Sequence, residues 1–398
     1  MRFSERTAWE LGENAFAAKL RAARESGREP LDLTVSNPTA CGLKYDERAL
    51  LAPLAERAAL IYEPEALGMV SAREAVRGYY RDHGAEVPVE RVCLTVSTSE
   101  AYSYLFRLLC DEGDEVLVAS PSYPLFEYIA RLDGVRLREY PLVYDPHAGW
   151  QIDLGALESA VSARTRAVIV VHPNNPTGHF CSERERGELE RICAERGLAL
   201  VVDEVFLDYG VAGVEARSFT VGPDIVRTHV RESGHGAPGL EQPLTFVLSG
   251  LSKVCGLPQM KCSWIVASGP GADEAMGRLE IVADTFLSMN APVQHALPAW
   301  LAGRGGIQGQ IRSRCEANLR VMDAVLAGSD CERLAMDAGW TAVVRVPRVG
   351  SFAERALEVG VVVQPGEFYG LAEGRVVVSL LTVPEVWVEG LGRLVALG

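Results

Sequence analysis

The sequence predicts an α/β fold, a mixed and mostly parallel sheet held between helices, and two observations point to it. From about residue 92 onward, short apolar runs alternate with longer helical-looking stretches. The runs are apolar throughout, as strands are when both faces of their sheet are covered.

Taken in order, RVCLTV leads into SEAYSYLFRLLCDEG, then DEVLVAS, SYPLFEYIARLDG and VRLREYPLV. RAVIVVHP, SERERGELERICAERG, LALVVDEVF, PLTFVLSGLS and CSWIVAS continue the pattern. Functional residues of such sheets collect in the loops beyond the strands' carboxyl ends. Four loops qualify: Ser97–Glu100, Pro121–Tyr123, His172–Gly178 and Asp203–Phe206. RESGHGAPGLEQP is rich in Gly and Pro and reads as a loop. After about residue 290 the texture becomes helix (HALPAWLAG, QIRSRCEANLRVMDAVLAG) and then a small sheet, in WTAVVRVP, VGVVVQPG and GRVVVSLLT. The expected division is 1–45 for an amino-terminal arm and part of a small domain, 46–289 for a large domain, and 290–398 for a carboxyl-terminal small domain.

The 398 residues suffice for two domains. With 48% hydrophobic and 23% charged residues, the composition is that of a soluble globular protein. A formal charge of −14 and the lack of a Lys/Arg cluster argue against nucleic acid as a partner. No apolar stretch is long enough to span a bilayer, so no membrane is expected. The opening residues are charged and amphipathic, which reads as a surface helix and not a targeting segment. Nine cysteines without a CxxC pair suit a reducing, cytoplasmic home.

Five local signals carry chemistry. In SGLSKVCGLPQMKCSW, Lys253 follows an apolar strand, where desolvation lowers a lysine's pKa and frees a nucleophilic amine; a surface lysine is the plain alternative. In HPNNPTGHF the prolines turn the chain and leave the Asn175 amide free to donate, although such sequences are usually only turns. Asp203 ends the apolar strand of VVDEVF, where an acid needs a cation or donor; a helix cap is the alternative. In VSTSEAYSYL, Ser97, Thr98 and Ser99 open a helix whose free N–H groups suit a phosphate, or simply cap it. Tyr123 in SPSYP has a face on which a flat ring can stack, and lone tyrosines mostly pack.

In this order and combination the residues resemble the class I/II aminotransferase family, the fold-type I enzymes that use pyridoxal 5′-phosphate (PLP). The likeness runs from SNPT near the start to GRVVVSLLT near the end, with NNPTG, DEV and the SLSK-like SGLSK as its more specific parts. It implies that Lys253 holds PLP as a Schiff base and then serves as general base. Asp203 would pair with the pyridinium nitrogen, Asn175 would donate to the phenolic oxygen, and Tyr123 would stack on the ring. Thr98 and Ser99 fall where phosphate-binding amides lie. Tyr62 resembles the tyrosine that reaches a neighbour's phosphate across a homodimer, although its spacing to Gly68 is one residue longer than the pattern. Arg375 matches the arginine that grips the substrate carboxylate; a shifted register puts Val377 there instead. Asn37, beside Ser36, borders that carboxylate.

Three positions depart from the family pattern. Phe206 replaces a tyrosine that donates to the cofactor's phenolic oxygen, which raises the expected pKa of the imine. Gly250 stands where Ser or Thr is common, and neither Ser249 nor Ser252 is in register to replace it. Lys261 replaces an arginine and offers the phosphate a point charge in place of a fork. The expected activity is transamination between an α-amino acid and a 2-oxo acid. Another PLP reaction, β-elimination or decarboxylation, stays open on the same scaffold, as does a non-catalytic PLP-binding protein.

Overall fold

A computed structural model describes every residue except 28, 125, 212, 215–216, 221–241, 349–350 and 398, so most of the RESGHGAPGLEQP loop lies outside the described residues. Fourteen strands are described, in chain order. They are β1 (Leu31–Asp32), β2 (Val92–Thr95), β3 (Glu115–Ser120), β4 (Arg136–Asp145), β5 (Gly149–Ile152), β6 (Thr165–Val171) and β7 (Ala199–Asp203). Then come β8 (Thr245–Gly250), β9 (Ser263–Ser268), β10 (Glu332–Arg333), β11 (Thr341–Arg345), β12 (Val361–Val362), β13 (Gln364–Pro365) and β14 (Arg375–Ser379).

Eight of them form the large sheet in the order β2-β9-β8-β7-β6-β3-β4-β5. The strands from β8 through β7, β6 and β3 to β4 are parallel; β9 runs antiparallel between β8 and β2, so β2 shares the direction of β8, and β5 is antiparallel to β4. The apolar character of the central strands follows from burial on both faces, since β7 and β8 are buried at every residue, whereas β4, near the sheet's edge, buries only Tyr140 and Leu142. Strand β5 is absent from the apolar-run pattern because only Trp150 and Ile152 of its four residues are buried.

The alternation of side chains divides the sheet's residues between two cores. On one face Cys93, Val201, Phe246, Leu248 and Ile265 pack under the helices Thr98–Leu109 and Ala272–Phe286. On the other, Leu94, Val202, Val247 and Trp264 pack with the helices Val70–Asp82 and Glu183–Arg196. The helix Ala291–Gly303, which opens the expected carboxyl-terminal domain, joins this second core through Ala296, Leu297 and Trp300.

A third core lies under the sheet β10-β11-β14-β13, with Met322 and Leu326 of the helix Gly305–Leu326 and Trp387 and Leu391 of Pro384–Val395. VGVVVQPG serves two sheets. Its β12 pairs with β1 near the chain's start, and its β13 pairs with β14.

Candidate active site

Strand β8 runs directly into the short helix Leu251–Val254, and Lys253 is its third residue. The Lys253 Nζ lies 4.8 Å from the Trp340 ring centre and 5.4 Å from that of Phe206. Those two rings meet edge to face at 5.0 Å. Burial among them pulls the amine's pKa down to about 8, against an opposing pull from Asp203. The backbone of the turn is pinned by the Tyr209 hydroxyl, which donates to the Lys253 carbonyl at 2.6 Å.

Asp203 ends β7, the strand beside β8, on the face that carries the Thr98–Leu109 helix. Tyr102, one turn into that helix, donates its hydroxyl to Asp203 Oδ2 at 2.9 Å, and the Val205 amide donates to Oδ1 at 3.1 Å. Burial pushes this carboxyl up to about 6, with the Val205 amide, the Tyr102 hydroxyl and Lys253 holding it below what burial alone would give. Among the described residues no ion pair joins Asp203 to Lys253, so a buried acid and a buried amine stand near each other with neither neutralising the other.

Asn174 and Asn175 differ in how they are used. Asn174 accepts from the Thr177 amide and hydroxyl and donates to the Pro121 carbonyl. Asn175 accepts from the Thr341 hydroxyl at 3.4 Å, which leaves its Nδ2 to donate elsewhere. Tyr123 is 45% exposed and follows the Pro121 turn. It lies close enough to Tyr369 to add to the effect of burial in raising that phenol to about 12.

Thr98 and Ser99 are the first two residues of a twelve-residue helix. Ser97 caps it by accepting from the Glu100 amide, and the Glu100 carboxylate takes the Val96 amide. That leaves the amides of Thr98 and Ser99 without partners among the described residues. Ser252 is partly buried next to Lys253, and Lys261 is exposed with a positive φ of 50°. Tyr62 is 80% exposed, on a surface with Ile61 and Leu287. Asn37 caps a short turn and accepts from Thr39, and its segment is tied to β14 by the Ser379 hydroxyl donating to the Val35 carbonyl.

Arg375 is not brought to this cluster. The residue of β14 opposite Thr341 is Ser379, whereas Arg375 pairs with Arg345 at the strand's other end. Four residues of strand, about 13 Å, separate the two pairs. Val377 lies between, buried against the large core. Arg375 instead lines a cavity with Ser351, Pro365 and Glu373. Burial, with Arg348 and Arg345 nearby, lowers its pKa. The structure therefore runs against its expected grip on a carboxylate beside Lys253.

Tyr102, Trp340, Thr341 and Tyr209 were not legible as site residues. Tyr102 carried one signal, its position four residues after Thr98 and so on the same helix face. Trp340 and Thr341 come from the far sheet, and only tertiary contact brings them in.

Residues 55–387 match the family model for aminotransferase class I and II. The chain belongs to that family. A glutamate-pyruvate aminotransferase of Haemophilus influenzae is 29% identical over 70% of this chain, and the chain spans 65% of that relative's length. An alanine aminotransferase of Mycobacterium tuberculosis is 28% identical over 84% of this chain and 70% of its own. Among solved structures, a single mutant of the Thermus thermophilus aspartate aminotransferase superposes with a TM-score of 0.83 at 25% identity, covering 100% of both chains. An alanine aminotransferase from Pyrococcus furiosus gives 0.84 at 21% identity, over 100% of this chain and 99% of that one. These agree with a fold-type I architecture.

The residues fit PLP, the family's cofactor. Asp203 is a buried acid whose carboxyl lacks a cation, Lys253 is an amine with a lowered pKa, and Thr98 and Ser99 present free amides at the positive end of a helix.

Proposed function

We propose that the chain is a PLP-dependent aminotransferase that moves an amino group between an α-amino acid and a 2-oxo acid. The observation that carries this reading is the pairing of a desolvated Lys253 with a buried, cation-free Asp203 on adjacent strands. Bound PLP supplies an electron sink for the negative charge that develops at a substrate's Cα.

The chain's own residues do the rest. Lys253 would hold the cofactor, and once a substrate amine displaces it the freed lysine amine, poised near 8, would take the Cα proton and return it at C4′. Asp203, fixed by Tyr102 and Val205, accepts from the ring N–H and keeps that nitrogen protonated. Asn175 donates to the phenolic oxygen with the amide that Thr341 orients. Tyr123 stacks on the ring, and the Thr98 and Ser99 amides, with Ser252 and Lys261, surround the phosphate. Trp340 and Phe206 exclude water from the amine. Asn37 borders the substrate carboxylate. The names of the relatives make alanine, glutamate and pyruvate the first substrates to test.

The proposed assembly is a homodimer. Ile61 and Tyr62 are exposed beside Leu287, and Phe286 and Ile281 are exposed on the same helix end, an apolar surface that a second copy covers. Tyr62 then reaches the neighbour's phosphate. All nine cysteines are free thiols, which supports a reducing cytoplasmic setting.

The test is the visible spectrum of the purified protein with PLP, recorded as amino acids are added singly. Conversion to the pyridoxamine form by one amino acid, reversed by a keto acid, establishes transamination and substrate together. Release of ammonia or carbon dioxide instead assigns another PLP reaction. A spectrum without lysine-bound PLP overturns the proposal.

A further inference from the structure

Gly250 and Ser263 face each other across β8 and β9, and Ser263 also faces Thr95 across β9 and β2. The three form one row, on the face where Cys93, Leu248 and Ile265 pack under the Thr98–Leu109 helix. This row lies at the carboxyl ends of β2 and β8. It precedes Lys253 by three residues on one strand and the helix's first residue by three on the other.

Gly250 has a φ of 177°, ordinary extended backbone, so conformation does not require glycine. Space does. A Cβ at this position would lie 2.2 Å from Ser263 Oγ and 2.9 Å from Ser263 Cβ. The Ser263 hydroxyl thus fills the volume that a side chain on residue 250 would occupy. Ser263 is only 3% exposed as a residue and its hydroxyl has no hydrogen-bond partner among the described residues, while the oxygen itself is not sealed in, so it faces space that solvent or a ligand can reach. An unpaired hydroxyl in such a place is free to donate to whatever occupies that space, water or ligand.

The hydroxyls of the two neighbouring strand residues are committed or point elsewhere. Thr95 donates to the Ser97 carbonyl at 3.0 Å. Ser249 lies on the opposite face, with its hydroxyl 3.5 Å from the Glu204 carbonyl. The free amides of Thr98 and Ser99 stand at the end of the row.

We propose that Ser263 donates its hydroxyl to the cofactor's phosphate, and that Gly250 and Ser263 are a reciprocal pair in which the hydroxyl has moved from β8 to β9. This assignment rests on the PLP reading given above. A neutral donor meeting a phosphate dianion makes a charge-assisted bond, stronger than one between neutral groups.

The test titrates apo protein with PLP and, separately, with pyridoxal, which lacks the phosphate, and follows lysine-bound absorbance. Ser263→Ala is expected to weaken PLP about tenfold and leave pyridoxal unchanged. Gly250→Ser alone is expected to lower the melting temperature, because its side chain meets Ser263. The exchange Gly250→Ser with Ser263→Gly is expected to bring PLP affinity back to within about threefold of the parent. Unchanged PLP affinity in Ser263→Ala overturns the assignment. So does an equal loss for pyridoxal, which marks a packing effect. If the parent itself forms no lysine-bound PLP, the cofactor reading falls and this assignment with it.

Discussion

Asp203 and Glu204 are consecutive buried acids on opposite faces of the large sheet; each holds one hydroxyl and one amide donor, and they differ in the charge that stands beside them. Glu204 is closed: the Phe219 amide donates to Oε1 at 2.6 Å and the Ser218 hydroxyl to Oε2 at 2.7 Å. Burial still pushes it up to about 7, with those donors, Arg186 and His83 pulling back. Asp203 is pushed up to about 6 by the same cause and pulled back by its own two donors, but the cation that adds to that pull is the Lys253 amine, with which it forms no ion pair among the described residues. Burial shifts both acids alike, so a shifted pKa does not distinguish a site from a scaffold. The amine of Lys253 standing near one acid and not the other does.

If that contrast is right, the Lys253 and Asp203 face holds the activity and the Glu204 face holds only the fold. The largest expected effect comes from Lys253→Ala, which should lower transamination more than about a thousandfold and abolish lysine-bound absorbance while leaving the melt of the apo protein cooperative. Asp203→Asn should lower kcat/KM by about 10- to 100-fold, the loss of one charge-assisted bond. Glu204→Gln should leave kcat/KM within about threefold. A Glu204 variant as inactive as Asp203→Asn would break the comparison.

Stability against pH sharpens it. Each acid keeps its proton in the fold at pH values where the unfolded chain has released it, so folding takes up protons and stability falls as pH rises. The window runs from 3.8 to about 6 for Asp203 and from 4.5 to about 7 for Glu204. In urea melts of apo protein, Asp203→Asn and Glu204→Gln should each flatten the fall across its own window, by about 3 kcal/mol. PLP should remove only the Asp203 share, because only that acid meets the pyridinium nitrogen. Equal flattening of both shares by PLP would show that the two faces are coupled.

The same contrast explains what the sequence made legible. The large sheet announced itself because its central strands are buried on both faces and so are largely apolar, as β7 and β8 are up to their carboxyl ends. Lys253, Asp203 and Asn175 were visible because strand ends and proline turns are local features. Trp340 and Thr341 were not, since they sit on β11 or just before it and meet Lys253 and Asn175 only through the packing of two cores. Arg375 was misplaced for the same reason. Its composition suits a carboxylate, but the register that pairs it with Arg345 is a property of the folded sheet. Gly250 read as a loss until Ser263 was seen opposite it.

The smallest expected effect concerns Phe206. Its ring packs edge to face on Trp340 and covers the Lys253 amine, so it acts through desolvation and donates nothing. A tyrosine there would add a donor that stabilises the deprotonated form of the lysine-bound cofactor. Phe206→Tyr is therefore expected to move the pH midpoint of that absorbance change downward by about one unit. A pH titration of the visible spectrum reads the shift directly, with Asn175→Ala as the opposing control, expected to move the midpoint upward. A midpoint that Phe206→Tyr leaves in place would mean that residue 206 lies over the amine without reaching the phenolic oxygen. In that case the aromatic enclosure formed with Trp340, and not a missing hydrogen bond, sets the lysine's behaviour.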